Sequence, residues 1–124
     1  VVSIPRDGSL PVDGLARANK GDVLIAMTFK PYRREVIEAV EQALQQGLQV
    51  IAISDSPAAP ILAAAKHRFI VPTESPQFFN STVALEAFFE TLTAFIVASA
   101  GEEVVATIER FHSRRRALGV YHTD

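Results

Sequence analysis

A basic loop between an apolar run and an amphipathic segment holds the residues best suited to bind an anion. Lys30, Arg33 and Arg34 lie within Thr28–Glu35, which leads into the first turn of a predicted helix. Basic side chains at a helix N-terminus cost a few tenths of a kcal/mol each, so three of them there require a reason. A phosphate or carboxylate bound near the free N–H groups supplies one, and Thr28 adds a hydroxyl. The alternative is a polar turn that only caps the helix.

A second loop, Ser54–Pro57, follows another predicted strand and could contribute to the same site. Ligands of open parallel sheets bind outside the carboxyl ends of the strands, so loops at these ends are neighbours. Ser54 and Ser56 could donate hydroxyl groups to the ligand. A serine turn before a short helix explains them equally well.

A third loop, Pro72–Ser81, is long and polar for a segment that leads into an apolar helix. Glu74 and Ser75 could hydrogen-bond the hydroxyl groups of a sugar. Asn80 or Ser81 could instead serve as the N-cap of the helix. The candidate ligand site therefore draws on three loops that are far apart in the sequence.

No catalytic set can be argued from residue spacing. The chain has no cysteine and three scattered histidines, which excludes thiolate chemistry and provides no zinc site. Glu35 or Glu74 could serve as a general base, but neither is accompanied by an acid. We therefore expect no catalytic residue, no metal and no cofactor.

The segments that position these loops predict an α/β fold with a parallel sheet, since strand-length apolar runs alternate with helix-period segments. Strands are expected at Val23–Met27, Gln49–Ile53 and Arg68–Val71, with Val23–Met27 as a central strand buried on both faces. A helix with one apolar stripe begins with Pro31 at its first position and ends at Gly47. Shorter elements are a β-branched run at Val1–Ile4 and helices at Val12–Asn19 and Ala59–Lys66.

Two helices are predicted at the C-terminal end. Val83–Ala98 is apolar nearly all round, which indicates burial in a core and a subunit interface. Glu86 and Glu90 argue against a membrane span, because a charged carboxylate at the bilayer centre costs about 2.5 kcal/mol or more. The last helix begins near Glu102, and Arg114–Arg116 complement the dipole at its end.

The composition limits the classes of protein to which this chain can belong. The 124 residues are 48% apolar with a net charge of −2, which predicts one globular domain over 1–124. The near-neutral charge argues against binding of nucleic acid or anionic membrane by this chain itself. The start of the chain lacks a basic and long apolar leader, so a cytoplasmic location is expected. It also lacks an initial Met, which suggests a piece of a longer protein.

Three stretches carry a family resemblance in this order: Asp22–Glu35, Val50–Pro57 and Val71–Ser81. With the apolar helix that follows, they make Gly21–Tyr121 resemble the sugar isomerase (SIS) domain, specifically that of RpiR-type bacterial transcriptional regulators. The resemblance implies a three-layer α/β/α sandwich with a central parallel sheet and flavodoxin-like topology. Such domains usually dimerise and bind phosphosugars at strand ends. In RpiR-type proteins they imply an effector sensor joined to an N-terminal helix-turn-helix domain.

The chain departs from the family pattern in three respects. The usual phosphate loop is Ser-x-Ser-Gly-x-Thr, and this chain has Thr28, Lys30, Pro31 and Arg33 at the four defined positions. The exchange keeps the attraction for anions but changes size and reach. The first strand–helix pair of the family fold and the helix-turn-helix region are absent, so Val1–Ile4 would be the family's second strand.

Three functional hypotheses follow. The first is an effector-binding regulatory domain that senses a phosphosugar or a related anionic carbohydrate and forms a homodimer through Val83–Ala98, with DNA contacted only by a domain outside this chain. The alternative is a phosphosugar isomerase of the same fold. The third is a dimerisation module that no longer binds a ligand.

Overall fold

A three-stranded parallel sheet organises the first part of the chain in the computed structural model, which describes residues 2–5 and 8–120. The strands are β1 (Val23–Met27), β2 (Gln49–Ser54) and β3 (His67–Ile70), hydrogen-bonded in the order β1-β2-β3. Both pairs run parallel, and Ile25 lies opposite Ile51. The predicted α/β class and open parallel sheet are confirmed.

The position of β1 corrects one prediction. This strand was expected in the centre of the sheet, but β2 lies between β1 and β3. Alternate side chains of β1, those of Val23, Ile25 and Met27, are 56%, 43% and 37% exposed, whereas Ala26 belongs to the core. A continuous apolar run therefore identifies a strand here without fixing its place among the strands.

Helices pack against the sheet and build the core. The helices of this part are α1 (Pro11–Gly14), α2 (Arg34–Gln45) and α3 (Pro60–Ala64), with a 3-10 turn at Leu15–Arg17. Ala39, Val40 and Ala43 form the buried stripe of α2 and pack in one cluster with Val50 of β2. The chain leaves α2 through Gly47 at a φ of +79°, a left-handed conformation that favours glycine, and the predicted C-terminal glycine is confirmed.

The predicted strand at Val1–Ile4 is wrong for the residues that are described. Val2–Ile4 form no strand, and Val1 lies outside the described residues. Ile4 instead packs against the core, with its side chain over Gly14. The other predicted elements shift by small amounts: the helix expected at 12–19 is α1 with its 3-10 turn, the helix expected at 59–66 is α3, and the strand expected at 68–71 is β3.

The chain divides into two compact units, Val1–Leu85 and Glu86–Asp124. The second contains most of α4 (Val83–Ser99) and all of α5 (Glu102–Ala117), which are bent by 115° at the break between them. Both helices form as predicted, but none of their described residues is buried, so the predicted core role of α4 is wrong. In the described part of the chain no single helix is long and apolar enough to cross a membrane, and only α4 and α5 taken together as a bent pair have the necessary length and composition.

Candidate functional site

Three loops meet at the carboxyl edge of the sheet, where β1, β2 and β3 end. Parallel strands end on the same side, and backbone hydrogen bonds join these strand ends to each other. The Thr28 N–H donates to the Ile53 carbonyl at 3.4 Å, and the Val71 N–H donates to the Ser54 carbonyl at 2.9 Å. The loops that the sequence identified are therefore neighbours in the fold.

Two predicted ligand residues, Thr28 and Ser54, are buried and hold the first loop in shape. Ser54 Oγ donates to the Thr28 carbonyl oxygen at 2.6 Å, and Thr28 Oγ1 accepts from the Arg33 backbone N–H at 3.1 Å. Their exposed fractions are 0% for Ser54 and 5% for Thr28. The hydrogen bond from the Arg33 N–H to Thr28 Oγ1 keeps Arg33 extended as the N-cap of α2. The helix therefore begins at Arg34, and its predicted start at Pro31 is wrong.

Basic side chains surround the first turn of α2, and two of the three are paired. Arg33 Nη2 lies 2.7 Å from Glu35 Oε1, and Arg34 Nε donates to Glu38 Oε1 at 3.0 Å. All four side chains are more than a third exposed, so each pair contributes about 0–1 kcal/mol and an anion could compete for the arginine. Lys30 is exposed, and among the described residues its ammonium has no ion pair.

The first turn of α2 adds its backbone to this charge. Its N-cap residue, Arg33, makes no side-chain cap hydrogen bond. The N–H groups of an uncapped first turn carry the positive end of the helix dipole and favour an anion. Together with Lys30 on the same loop, these groups give Thr28–Arg33 the chemistry of an anion-attracting loop.

The third loop is tied across the first. Asn80 Nδ2 donates to the Lys30 carbonyl oxygen at 2.8 Å, which fixes the backbone on which the lysine stands. The Ser81 N–H donates to the carbonyl of Thr73, a buried residue. Ser81 Oγ accepts from the Val83 N–H at the start of α4, in keeping with the capping role considered for Ser81.

The other three predicted ligand residues lie on the same edge but serve local turns or remain exposed. Ser56 Oγ accepts from the Ala58 N–H at 3.3 Å, and Ser75 Oγ accepts from the Gln77 N–H at 3.1 Å. The Glu74 side chain is exposed. The described hydrogen bonds connect Ser54 to Thr28 and Asn80 to the Lys30 backbone, but they do not connect Ser56, Glu74 or Ser75 to these residues.

Sequence reasoning did not find the contacts of three residues of this edge, and it considered Asn80 only as an N-cap. The contact from Asn80 to Lys30 joins residues 50 positions apart, for which a single sequence carries no signal. Phe78 and Phe79 precede Asn80, are 95% and 77% exposed, and stack edge-to-face with ring centroids 5.2 Å apart. Their signal was two adjacent aromatic residues within an otherwise polar loop.

The arrangement supplies positive charge and hydrogen-bond donors rather than an obvious pair for proton transfer. Glu35, one candidate base, is held by Arg33, and Glu74, the other, is an exposed carboxylate. The part of the chain that the structure describes contains no group of three acidic or histidine side chains that could hold a metal ion. The chemistry that this edge supports best is the binding of a small anion that also carries hydroxyl groups.

Comparisons with known proteins agree with this fold. The family model of the SIS domain matches residues 1–98. The crystal structure of the sugar isomerase domain of an RpiR transcription factor from Sphaerobacter thermophilus superposes with a TM-score of 0.76 at 25% sequence identity. The match covers 86% of this chain and 59% of that one, so the chain spans less than two thirds of the length of its structural relative. A search of curated proteins finds no match.

Proposed function

This chain belongs to the SIS domain family, and from that premise we propose that it is the effector-sensing domain of an RpiR-type transcriptional regulator. The effector is a phosphosugar or a related anionic carbohydrate, which the domain binds without converting it. The likeness to the sugar isomerase domain of an RpiR transcription factor supports a regulatory role. The pairing of Glu35 with Arg33 weighs against the alternative of a phosphosugar isomerase that uses Glu35 as its base.

The observation that carries the proposal is the position of Lys30. Its ammonium has no ion pair among the described residues, and it stands on a loop that leads into the uncapped first turn of α2. An ammonium and a helix N-terminus that share one loop attract the same anion. The loop is held by Thr28, Ser54 and Asn80, so its shape is set before a ligand arrives.

The side chains divide into two roles in this proposal. Lys30 and Arg33 contact the anionic group, and Arg33 exchanges Glu35 for the ligand at a cost of about 0–1 kcal/mol, the strength of an exposed ion pair. Thr28 and Ser54 shape the loop through their hydrogen bonds. The ligand thus meets long, charged side chains rather than the hydroxyl-rich loop usual for the family.

The hydroxyl groups of the carbohydrate are assigned to the neighbouring loops. Ser56, Glu74 and Ser75 contact these groups, because they lie on the two loops that share the edge with Lys30. The local turn bonds of Ser56 and Ser75 are exposed, so water or a ligand can replace them at little cost.

The domain acts as a cytoplasmic homodimer in this proposal, with α4 forming the dimer interface and DNA contacted only by a domain outside this chain. The apolar side chains of α4 support the interface, since Phe95 and Ile96 are 67% and 61% exposed. Ligand binding would bias the dimer by a coupling free energy of about 1–3 kcal/mol, the usual range for linked sites.

Calorimetric titration of the full-length protein with a panel of phosphosugars and sugar acids tests the proposal. We expect one class of ligand to bind, and Lys30→Ala to weaken that binding about 10-fold to 100-fold, because hydrogen bonds to charged groups contribute about 1.5–3 kcal/mol. Lys66→Ala is the matched control, since this exposed lysine immediately precedes β3 at the opposite edge of the sheet.

Three results would contradict the proposal in different ways. Failure of every ligand to bind a folded dimer would favour a dimerisation module. Equal losses for Lys30→Ala and Lys66→Ala would remove the anion site from the loop after β1. Turnover of an aldose or ketose phosphate, abolished by Glu74→Gln, would favour the isomerase.

A further inference from the structure

A row of exposed apolar side chains runs along one side of α5 and continues to the residue that follows the helix. We call this row the α5 seam, and its four members are Val104, Ile108 and Phe111 of the helix and Leu118, the residue directly after it. Each is between 38% and 69% exposed, and no residue of the helix is buried. Four large apolar side chains that line one face in water mark a surface that another molecule covers.

The spacing of the seam is that of helices that pair along their length. Val104, Ile108 and Phe111 are separated by four and then three residues, and the same alternation continues through Arg115 to Leu118. Arg115 does not break the seam, because its guanidinium lies 5.3 Å above the Phe111 ring and its aliphatic stem can cover apolar surface. The 16 residues of α5 make a contact line about 24 Å long.

The charges of α5 are separated along its axis. Glu102 and Glu103 occupy the first turn, and Arg114–Arg116 occupy the last. In a parallel pair of α5 helices the three arginines of each copy would face each other. In an antiparallel pair the acidic turn of each copy lies beside the basic turn of the other, and the helix dipoles oppose as well.

We propose that α5 forms an antiparallel pair with α5 of a second copy of this chain. Ile108 of one copy packs against Phe111 of the other, and the same contact recurs by symmetry. This register brings Val104 opposite Arg115, and it brings Glu103 beside the partner's Arg114. A surface that complements itself in this way forms a closed two-fold contact, which is why the occupant is a second copy. The inference uses neither the ligand site nor the interface proposed for α4.

Site-specific cross-linking in the full chain distinguishes the orientations, because the natural sequence has no cysteine. A mixture of Val104→Cys and Arg115→Cys chains, treated with a short bis-maleimide, should give cross-links between the unlike chains. Leu118→Cys alone should give none, since the antiparallel register places the two copies of this residue about 25 Å apart along the axis. Ser113→Cys, on the opposite side of the helix, is the matched control and should also give none.

Charge exchange gives an independent readout by sedimentation velocity. Glu103→Arg or Arg114→Glu alone should weaken self-association about fivefold, because each places like charges at two symmetry-related contacts. The double exchange should restore it, whereas Ser113→Glu should leave it unchanged. Helix content by circular dichroism confirms that each variant is folded.

Leu118→Cys chains that cross-link to each other would overturn the antiparallel orientation. A mixture of Val104→Cys and Arg115→Cys that gives no product would overturn the pairing itself, as would single charge reversals that associate like the natural chain. Loss of association in the single variants that the double exchange does not restore would show that another partner or surface is responsible.

Discussion

Replacement of Ser54 by alanine should destabilise the protein by removing a buried hydroxyl group and its hydrogen bonds. Ser54 Oγ donates to the Thr28 carbonyl at 2.6 Å and lies 3.2 Å from Asp55 Oδ1, and the serine is fully buried. Alanine leaves that carbonyl without its donor in a place where water does not replace it. The loss of one partner of a buried pair costs about 1–3 kcal/mol. The small volume of the deleted oxygen adds little, so the cost reports the lost hydrogen bonding of this hydroxyl.

Ser56→Ala is the matched control, because Ser56 Oγ accepts from the nearby Ala58 N–H in an exposed turn. It should cost less than about 0.5 kcal/mol, as surface substitutions usually do. Urea denaturation followed by circular dichroism measures both values. The chain has no tryptophan, so backbone ellipticity is the better signal. Equal stabilities for Ser54→Ala and Ser56→Ala would refute the role given to Ser54 in holding the loop.

Three further substitutions test other parts of the unit that carries the sheet. Tyr32→Phe should leave the free energy of unfolding unchanged or raise it by up to about 1 kcal/mol, because the hydroxyl is buried without a partner in the described residues. A lower stability in thermal denaturation would show that the hydroxyl has a partner. Gly47→Ala should lose about 1 kcal/mol or more since its φ is +79°, and Gly47→Asn should lose less; equal losses in urea would exclude backbone strain as the cause. Glu35→Gln frees Arg33 and should raise the affinity for the proposed anion about twofold to fivefold at low salt, measured by calorimetry. An unchanged affinity would mean that the Arg33–Glu35 ion pair does not compete with the ligand.

The strands were predictable because their signal is local. Val23–Met27 is a continuous apolar run that ends at turn residues, and the predicted and observed bounds are identical. Its place in the sheet was not predictable in the same way, because the pairing of strands depends on residues far along the chain. Every second side chain of β1, those of Val23, Ile25 and Met27, is exposed because β1 lies at the edge of the sheet. An all-apolar run gives no sign of which of its side chains will be exposed.

The start of α2 and the environment of α4 show two other limits. Pro31 suits a first helical position, but the hydrogen bond from the Arg33 N–H to Thr28 delays the helix by three residues. Arg33 is not a usual N-cap residue, so the cap gave no signal. For α4, the apolar composition correctly predicted a helix but not its burial. An apolar composition indicates a surface that avoids water, but it does not indicate whether other residues of the same chain cover that surface.

The candidate site could be predicted as a set of loops but not as a set of contacts. The carboxyl-edge rule brought Thr28, Ser54 and the third loop together correctly. It could not show that the two hydroxyl groups bond to the loop itself. That distinction requires distances. It leaves Lys30, which was also a predicted ligand residue, as the proposed contact in place of Thr28.

The bond from Asn80 to Lys30 gives the proposed sensor a physical route from ligand to dimer. Asn80 holds the carbonyl of the residue that carries the positive charge, and it lies three residues before Val83, the first residue of α4. Ser81, between them, is fixed at its N–H by Thr73 and caps α4 with its hydroxyl. A ligand that moves the Lys30 backbone therefore acts on the segment that begins the proposed dimer helix. Such a ligand shifts the dimer only to the extent that it binds one arrangement of this segment more tightly than another.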